Sequence, residues 1–149
     1  MKPLLVSACL LGVGCRYDGG RVVKIDVERL TKLYNIIPFC PEVYGGLPTP
    51  RTPSERVGDR VKMTDGTDVT EQFVRGAKEA YDLCVRLGCD TALLKERSPS
   101  CGTRNVYDGS FTGRLVPRMG VSAEYLHQRG IRILSEDDID LLLREAVNK

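Results

Sequence analysis

Apolar residues follow two rhythms along the chain. Short continuous runs occur at Pro3–Ala8, Ile36–Phe39, Thr91–Leu94 and Ile131–Leu134. Runs of this length, bounded by turn residues, predict strands buried on both faces. Between them apolar residues recur at three- and four-residue spacing, which predicts amphipathic helices. Asp26 can cap a short helix carrying Val27, Leu30, Leu33 and Tyr34. A longer helix is expected from Asp68 to Leu87, with Phe73, Ala77, Ala80, Tyr81, Cys84 and Leu87 on one stripe. Asp68 and Glu71 match a capping box there, and Gly88 is a C-terminal stop. Ser122 is the expected cap of a helix ending at Gly130. Ser135 with Asp138 caps a last helix carrying Ile139, Leu142, Leu143 and Ala146.

Strands alternating with helices predict βαβ units. The expected fold is α/β: a single domain over 1–149, with a mainly parallel Rossmann-like sheet flanked by helices. Long loops are expected at the carboxyl ends of the strands. The segments 40–60 and 97–118 read as such loops, apart from a short strand at Arg60–Met63 before an Asp65-Gly66 turn. Both exceed the usual connection length, which points to a functional role.

Composition narrows the chemistry. The chain has 149 residues, is 42% hydrophobic and 28% charged, and carries a formal net charge of +2. These values describe an ordinary globular protein without a strongly basic surface, so a nucleic-acid partner is not expected. His127 is the single histidine, which excludes a histidine-rich metal site. Val6-Ser7-Ala8-Cys9 looks like a lipoprotein cleavage box, but only Pro3–Val6 separate it from Lys2. A signal peptide needs about 7–15 apolar residues there. No other run approaches the roughly 18 residues of a membrane span. The expectation is a cytoplasmic protein with reduced thiols and no membrane partner. Its six cysteines then point to metal, catalysis or plain burial.

Cys9 and Cys40 directly follow predicted strands, and Cys101 lies seven residues beyond a third. In a parallel sheet those ends share one edge, where ligands bind. Cys84 and Cys89 fall elsewhere, on a helix stripe and at the amino end of the next strand. Three thiolates without histidine suit an iron–sulfur cluster, Cu(I) or zinc. From spacing alone, ordinary core burial is the favoured reading of the same cysteines, and no CxxC pair tips it towards metal. Gly12-Val13-Gly14 lacks the third glycine of a phosphate loop.

The flanking residues form three blocks: Ser7-Ala8-Cys9-Leu10-Leu11-Gly12 with Cys15-Arg16-Tyr17-Asp18-Gly19; Cys40-Pro41-Glu42 with Gly45-Gly46-Leu47, Pro50-Arg51, Pro53 and Glu55; and Leu94-Lys95 with Ser98-Pro99-Ser100-Cys101-Gly102 and Tyr107-Asp108-Gly109. In this order they resemble the thiouracil desulfidase family, from Ser7 to about Gly120. The resemblance implies that Cys9, Cys40 and Cys101 hold a 4Fe–4S cluster with one iron not bound by protein. It also implies that Glu42 and Ser98 are catalytic. The implied substrate is a small thiolated pyrimidine, 2- or 4-thiouracil or a related nucleoside or nucleotide. The expected reaction is hydrolytic, C=S becoming C=O with release of hydrosulfide, and Glu42 is the expected general base, although the residues alone favour a carboxylate that caps or ion-pairs within its loop. A non-catalytic iron–sulfur or zinc-binding redox or sensor module is the rival class. Cys15 is a neighbour of the ligands, and Cys84 and Cys89 read as packing. Lys95, Arg16 and Arg51 are candidate rim cations, with a solvated surface charge the preferred reading for Arg51. Asp18 and Asp108 precede glycine and read as turn formers.

Overall fold

The computed structural model describes residues 1–20 and 25–147. In chain order its elements are β1 (Lys2–Ser7), a 3-10 turn (Ala8–Leu11), α1 (Val27–Leu33), β2 (Tyr34–Phe39), α2 (Pro41–Tyr44), β3 (Ser54–Val57) and β4 (Arg60–Met63). They continue with α3 (Thr70–Leu87), β5 (Thr91–Leu94), β6 (Asn105–Tyr107), β7 (Leu115–Pro117), α4 (Val121–Gln128), β8 (Arg132–Ser135), a second 3-10 turn (Glu136–Asp138) and α5 (Ile139–Val147). The expected α/β fold is present. β2, β1, β5 and β8 form a four-stranded sheet in that order, and every pairing is parallel.

The sheet is buried on both faces, and alternation along each strand sorts the core. Leu4, Val6 and Leu93 pack with Leu30, Leu142 and Leu143 of α1 and α5. Leu5, Ala92 and Leu94 point the other way, to Ala80, Cys84, Ala123 and Leu126 of α3 and α4. The Tyr34 hydroxyl donates to the Leu142 carbonyl at 2.7 Å and ties the sheet edge to α5. Asp26 caps α1 by accepting from the Arg29 amide at 3.0 Å. Ser135 and Asp138 form the capping box expected before α5. Gly88 ends α3 in the left-handed conformation, with φ 66°. No helix among the described residues is long and apolar enough to cross a membrane.

Three local expectations are corrected. α3 starts at Thr70 and has no side-chain cap. Asp68 instead accepts from the Thr70 amide at 2.9 Å and pairs with Arg60 at 2.8 Å, fastening the helix to β4. Ser122 does not cap α4, because its side chain is buried inside the helix. The carbonyls of Pro99 and Ser100 accept the first amides of α4, from Val121 at 2.9 Å and Ser122 at 2.8 Å. Finally, the two long segments are not wholly irregular. They hold α2 and the antiparallel hairpins β3–β4 and β6–β7. Ser54-Glu55-Arg56-Val57 shows no apolar period, so sequence alone had no signal for β3.

Residues 96–105 are organised around one buried carboxylate. Glu96 is 7% exposed. Its Oε1 accepts the amides of Thr103, Arg104 and Asn105 at 2.9, 3.0 and 3.2 Å, and more weakly that of Arg97. Its Oε2 accepts the Thr103 hydroxyl at 2.6 Å. Burial alone would raise the Glu96 pKa, but these donors outweigh it and hold the carboxyl below its usual value. Glu96→Ala is expected to cost about 2–4 kcal/mol in urea unfolding at neutral pH, since it strands several buried donors. A group with a lowered folded pKa stabilises above its unfolded pKa and loses that contribution as pH falls through the folded value. The wild-type advantage over the mutant should therefore shrink below about pH 4.

Candidate functional site

The strand order reverses about β1: the chain runs outward from β1 to β2, then returns to place β5 on the other side of β1. In open α/β sheets such a switch point is where ligands bind, outside the carboxyl ends of the strands. A cavity of about 820 Å³ opens there. Its lining includes Cys9, Cys15, Cys40 and Cys101, with Glu42, Arg51, Ser98 and Ser100.

Each thiol is placed by a different local device. Cys9 sits in the 3-10 turn that follows β1, which Gly12 closes at φ 89°. Cys40 is the residue preceding α2, whose fixed start is Pro41 and whose first turn carries Glu42. Cys101 lies in a tight turn held by Ser98, whose Oγ accepts the amides of Ser100 at 3.2 Å and Cys101 at 3.1 Å. Close backbone contacts fix two of these loops. A Cβ on Gly76 of α3 would overlap the Pro41 carbonyl, so α2 lies directly on α3. A Cβ on Gly120 would sit 2.5 Å from the Ser100 carbonyl carbon, so the start of α4 also presses close on the Cys101 turn.

The four cavity thiols are free and interact with one another. Cys40 is raised above the usual thiol range by its hydrogen bond with Cys15 and by burial. The same bond lowers Cys15, but contact with Cys9 and burial leave it raised. Burial pushes Cys101 up to about 12, against hydrogen bonds from Ser7 and Ser100. Buried neutral thiols of this kind become thiolates when a metal binds them. Among the described residues, no three His, Cys, Asp or Glu side chains are arranged to hold a single metal ion. A four-iron cluster asks for something different, one thiolate at each of several irons. Three or four thiols spread around one cavity fit that donor chemistry.

Beside the thiols, polar side chains form a continuous chain. Arg51 Nε donates to Glu42 Oε1 at 3.1 Å, and Ser100 Oγ donates to Glu42 Oε2 at 2.8 Å. Ser98 Oγ lies 2.9 Å from Ser100 Oγ, so it is joined to Glu42 through Ser100 and not directly. Ser100 had no role in the sequence reading. Arg51 is also corrected: its side chain is 3% exposed and engaged with Glu42, not solvated. Its place between Pro50 and Pro53, in a stiff segment, was the available signal.

The remaining candidates sort readily. Lys95 pairs with Glu136 at 3.1 Å and donates to the Glu96 carbonyl at 2.9 Å, so its charge is largely engaged beside the cavity. Arg16 lines the cavity. Asp18 and Asp108 accept amides two residues on, as turn formers do. His127 is exposed on α4. Cys84 and Cys89 are buried in the core between sheet and helices, and the Cys89 thiol donates to the Thr91 carbonyl at 3.1 Å.

The chain is similar to known proteins over most of its length. The family described as 2-thiouracil desulfurase matches residues 4–138. The uncharacterized protein YbbK of Bacillus subtilis (strain 168) is 34% identical over 150 residues, covering 94% of this chain and 99% of that protein. A solved structure described as the 4Fe–4S-dependent thiouracil desulfidase TudS is 43% identical, with a TM-score of 0.93 over 99% of each chain.

The contact between α2 and α3 makes a direct prediction. Gly76→Ala should destabilise the protein by about 1–3 kcal/mol, because the added methyl must push α2 outward. Alanine would otherwise favour the helix. Thermal unfolding of the variant measures the sign.

Proposed function

The chain belongs to the 2-thiouracil desulfurase family, and on that premise we propose that it removes sulfur from a thiolated pyrimidine at a 4Fe–4S cluster held by Cys9, Cys40 and Cys101. The observation that carries this reading is the meeting of those thiols with the Glu42 carboxylate in one cavity. The likeness to a 4Fe–4S-dependent thiouracil desulfidase supports it further.

The reaction is hydrolytic. Water supplies the oxygen of the new C=O, and the sulfur departs as hydrosulfide. When bound, the cluster supplies a Lewis-acidic iron without a protein ligand for the thiocarbonyl sulfur. The protein's own residues manage water and protons. Glu42 takes the proton of the attacking water, as a carboxylate beside the site can. Its two oxygens are held apart in role: Arg51 engages Oε1, and Ser100 engages Oε2. With Ser100 donating to Glu42, Ser98 donates to Ser100, while two amides fix the Ser98 oxygen. Ser98 therefore orients the carboxylate through Ser100. Phe39, Tyr107 and Phe111 add apolar and aromatic wall for a flat ring. The substrate is a small molecule, 2- or 4-thiouracil or a relative of them. The protein works as one domain in the cytoplasm.

Iron and sulfide analysis after anaerobic reconstitution tests the cofactor. About four irons and four sulfides per chain are expected. Serine in place of Cys9, Cys40 or Cys101 should abolish loading, whereas Cys84→Ser and Cys89→Ser should load normally. A protein that takes up zinc alone, or that loads without Cys101, would overturn the assignment.

Turnover of 2-thiouracil and 4-thiouracil, followed by hydrosulfide release, tests the chemistry. Glu42→Gln should keep its iron and lose about 10²–10⁴-fold in kcat, the usual contribution of a general base. Undiminished turnover would remove Glu42 from the mechanism.

A further inference from the structure

Arg51 is an unusual residue in this cavity wall. Its side chain is 3% exposed, and that of its partner Glu42 is 13% exposed. A guanidinium so deeply placed is costly unless its donors are used. Here they are used in a fan. Nε donates to Glu42 Oε1 at 3.1 Å, and Nη2 donates to the Cys15 carbonyl at 3.0 Å. Nη1 donates to the Pro48 carbonyl at 3.2 Å and to Thr49 Oγ1 at 3.1 Å. The Arg51 amide also donates to the Tyr17 carbonyl at 2.6 Å. One residue thus fastens the loop after β1, the first turn of α2 and the segment before itself.

Three of those side-chain acceptors are neutral oxygens that water could serve. Glu42 is different, because it is the one carboxylate paired with Arg51 among the described residues. The pairing occupies Oε1 and leaves Oε2 facing Ser100 and the Cys101 turn. A carboxylate gripped from both sides cannot rotate freely. A lysine could not reproduce the grip, since an ammonium is a point donor and not a planar fork.

We propose that Arg51 is a positioning residue for the desulfurising reaction, locking the Glu42 carboxylate in the orientation from which Oε2 accepts the proton of water. The inference rests on reading Glu42 as the base, and the test separates the two.

Five anaerobically reconstituted proteins are compared: wild type, Arg51→Ala, Arg51→Lys, Glu42→Gln and the double variant Arg51→Ala/Glu42→Gln. Iron and sulfide content and the electron paramagnetic resonance of the reduced cluster are read beside kcat and KM for 2-thiouracil and 4-thiouracil. Arg51→Ala should match wild type in iron content and resonance while losing about 100-fold in kcat, the scale of a misplaced catalytic group. Added methylguanidinium should restore part of that turnover. The double variant should be no slower than Glu42→Gln, because groups acting through one another are not additive.

Arg51→Lys covers the case in which the alanine variant does not fold. It should load iron fully and lose about tenfold in kcat, with no response to methylguanidinium. Loss of iron in both Arg51 variants would assign Arg51 to the scaffold and overturn the proposal. So would wild-type kcat in either Arg51 variant beside an inactive Glu42→Gln, or losses that simply multiply in the double variant. An active Glu42→Gln would instead overturn the base itself, and the inference with it.

Discussion

Parallel pairing about β1 constrains everything else in this protein. β1 lies between β2 and β5, in register from Lys2 to Ser7 on one side and at Leu5 and Val6 on the other. Parallel strands must all end at the same edge, and their connections must cross the faces as helices. The sheet is buried on both sides as a result, which is why Leu4, Leu5 and Val6 are almost fully inaccessible. The same geometry delivers Cys9, Cys40 and Cys101 to one cavity from three distant parts of the chain. A slip of one residue in β1 would exchange the two core faces and displace the Cys9 turn with them.

Carboxylates do much of the work of shaping the loops at that edge. Glu96 gathers the amides of residues 97 and 103–105. Glu55 of β3 accepts the amides of Gly109 and Phe111 at 3.0 and 3.2 Å, linking one hairpin to the loop of the other. Glu42 joins α2 to the Cys101 turn through Ser100. Irregular backbone has amides that no ladder satisfies, and a buried carboxylate can accept several at once. The loops are held by this means, and the first amides of α4 are satisfied by the same Cys101 turn.

The cysteines divide by environment. Cys84 and Cys89 lie in the apolar layer between the sheet and α3 and α4, where they pack as small hydrophobic groups. Cys9, Cys15, Cys40 and Cys101 face a cavity whose lining also includes Glu42, Arg51, Ser98 and Ser100. Cys15 stands apart from the proposed ligands only by its position on the loop after Cys9, since its thiol contacts both Cys9 and Cys40. Glycines without room for a methyl, Gly76 against Pro41 and Gly120 against Ser100, set how closely the loops can approach.

The sequence by itself determined the parts that depend on local periodicity. The buried strand runs, the stripe of α3, the Asp26 cap and the Ser135–Asp138 box are all written in neighbouring residues, and so was the α/β class that they imply. The three motif blocks likewise carried the family. What only the tertiary structure decided depends on residues far apart in the chain. Asp68 lies before the start of α3 and serves two partners at once, the Thr70 amide on Oδ1 and Arg60 of β4 on Oδ2. Ser122 is no cap because it lies buried within α4, whose first amides donate to carbonyls of the Cys101 turn. Arg51, which reads as a surface charge, is buried because Glu42 lies in reach, and Ser98 meets Glu42 only through Ser100. Hydrophobic period is a short-range property of the chain, whereas the partner of a polar side chain is chosen among every donor and acceptor that folding brings near.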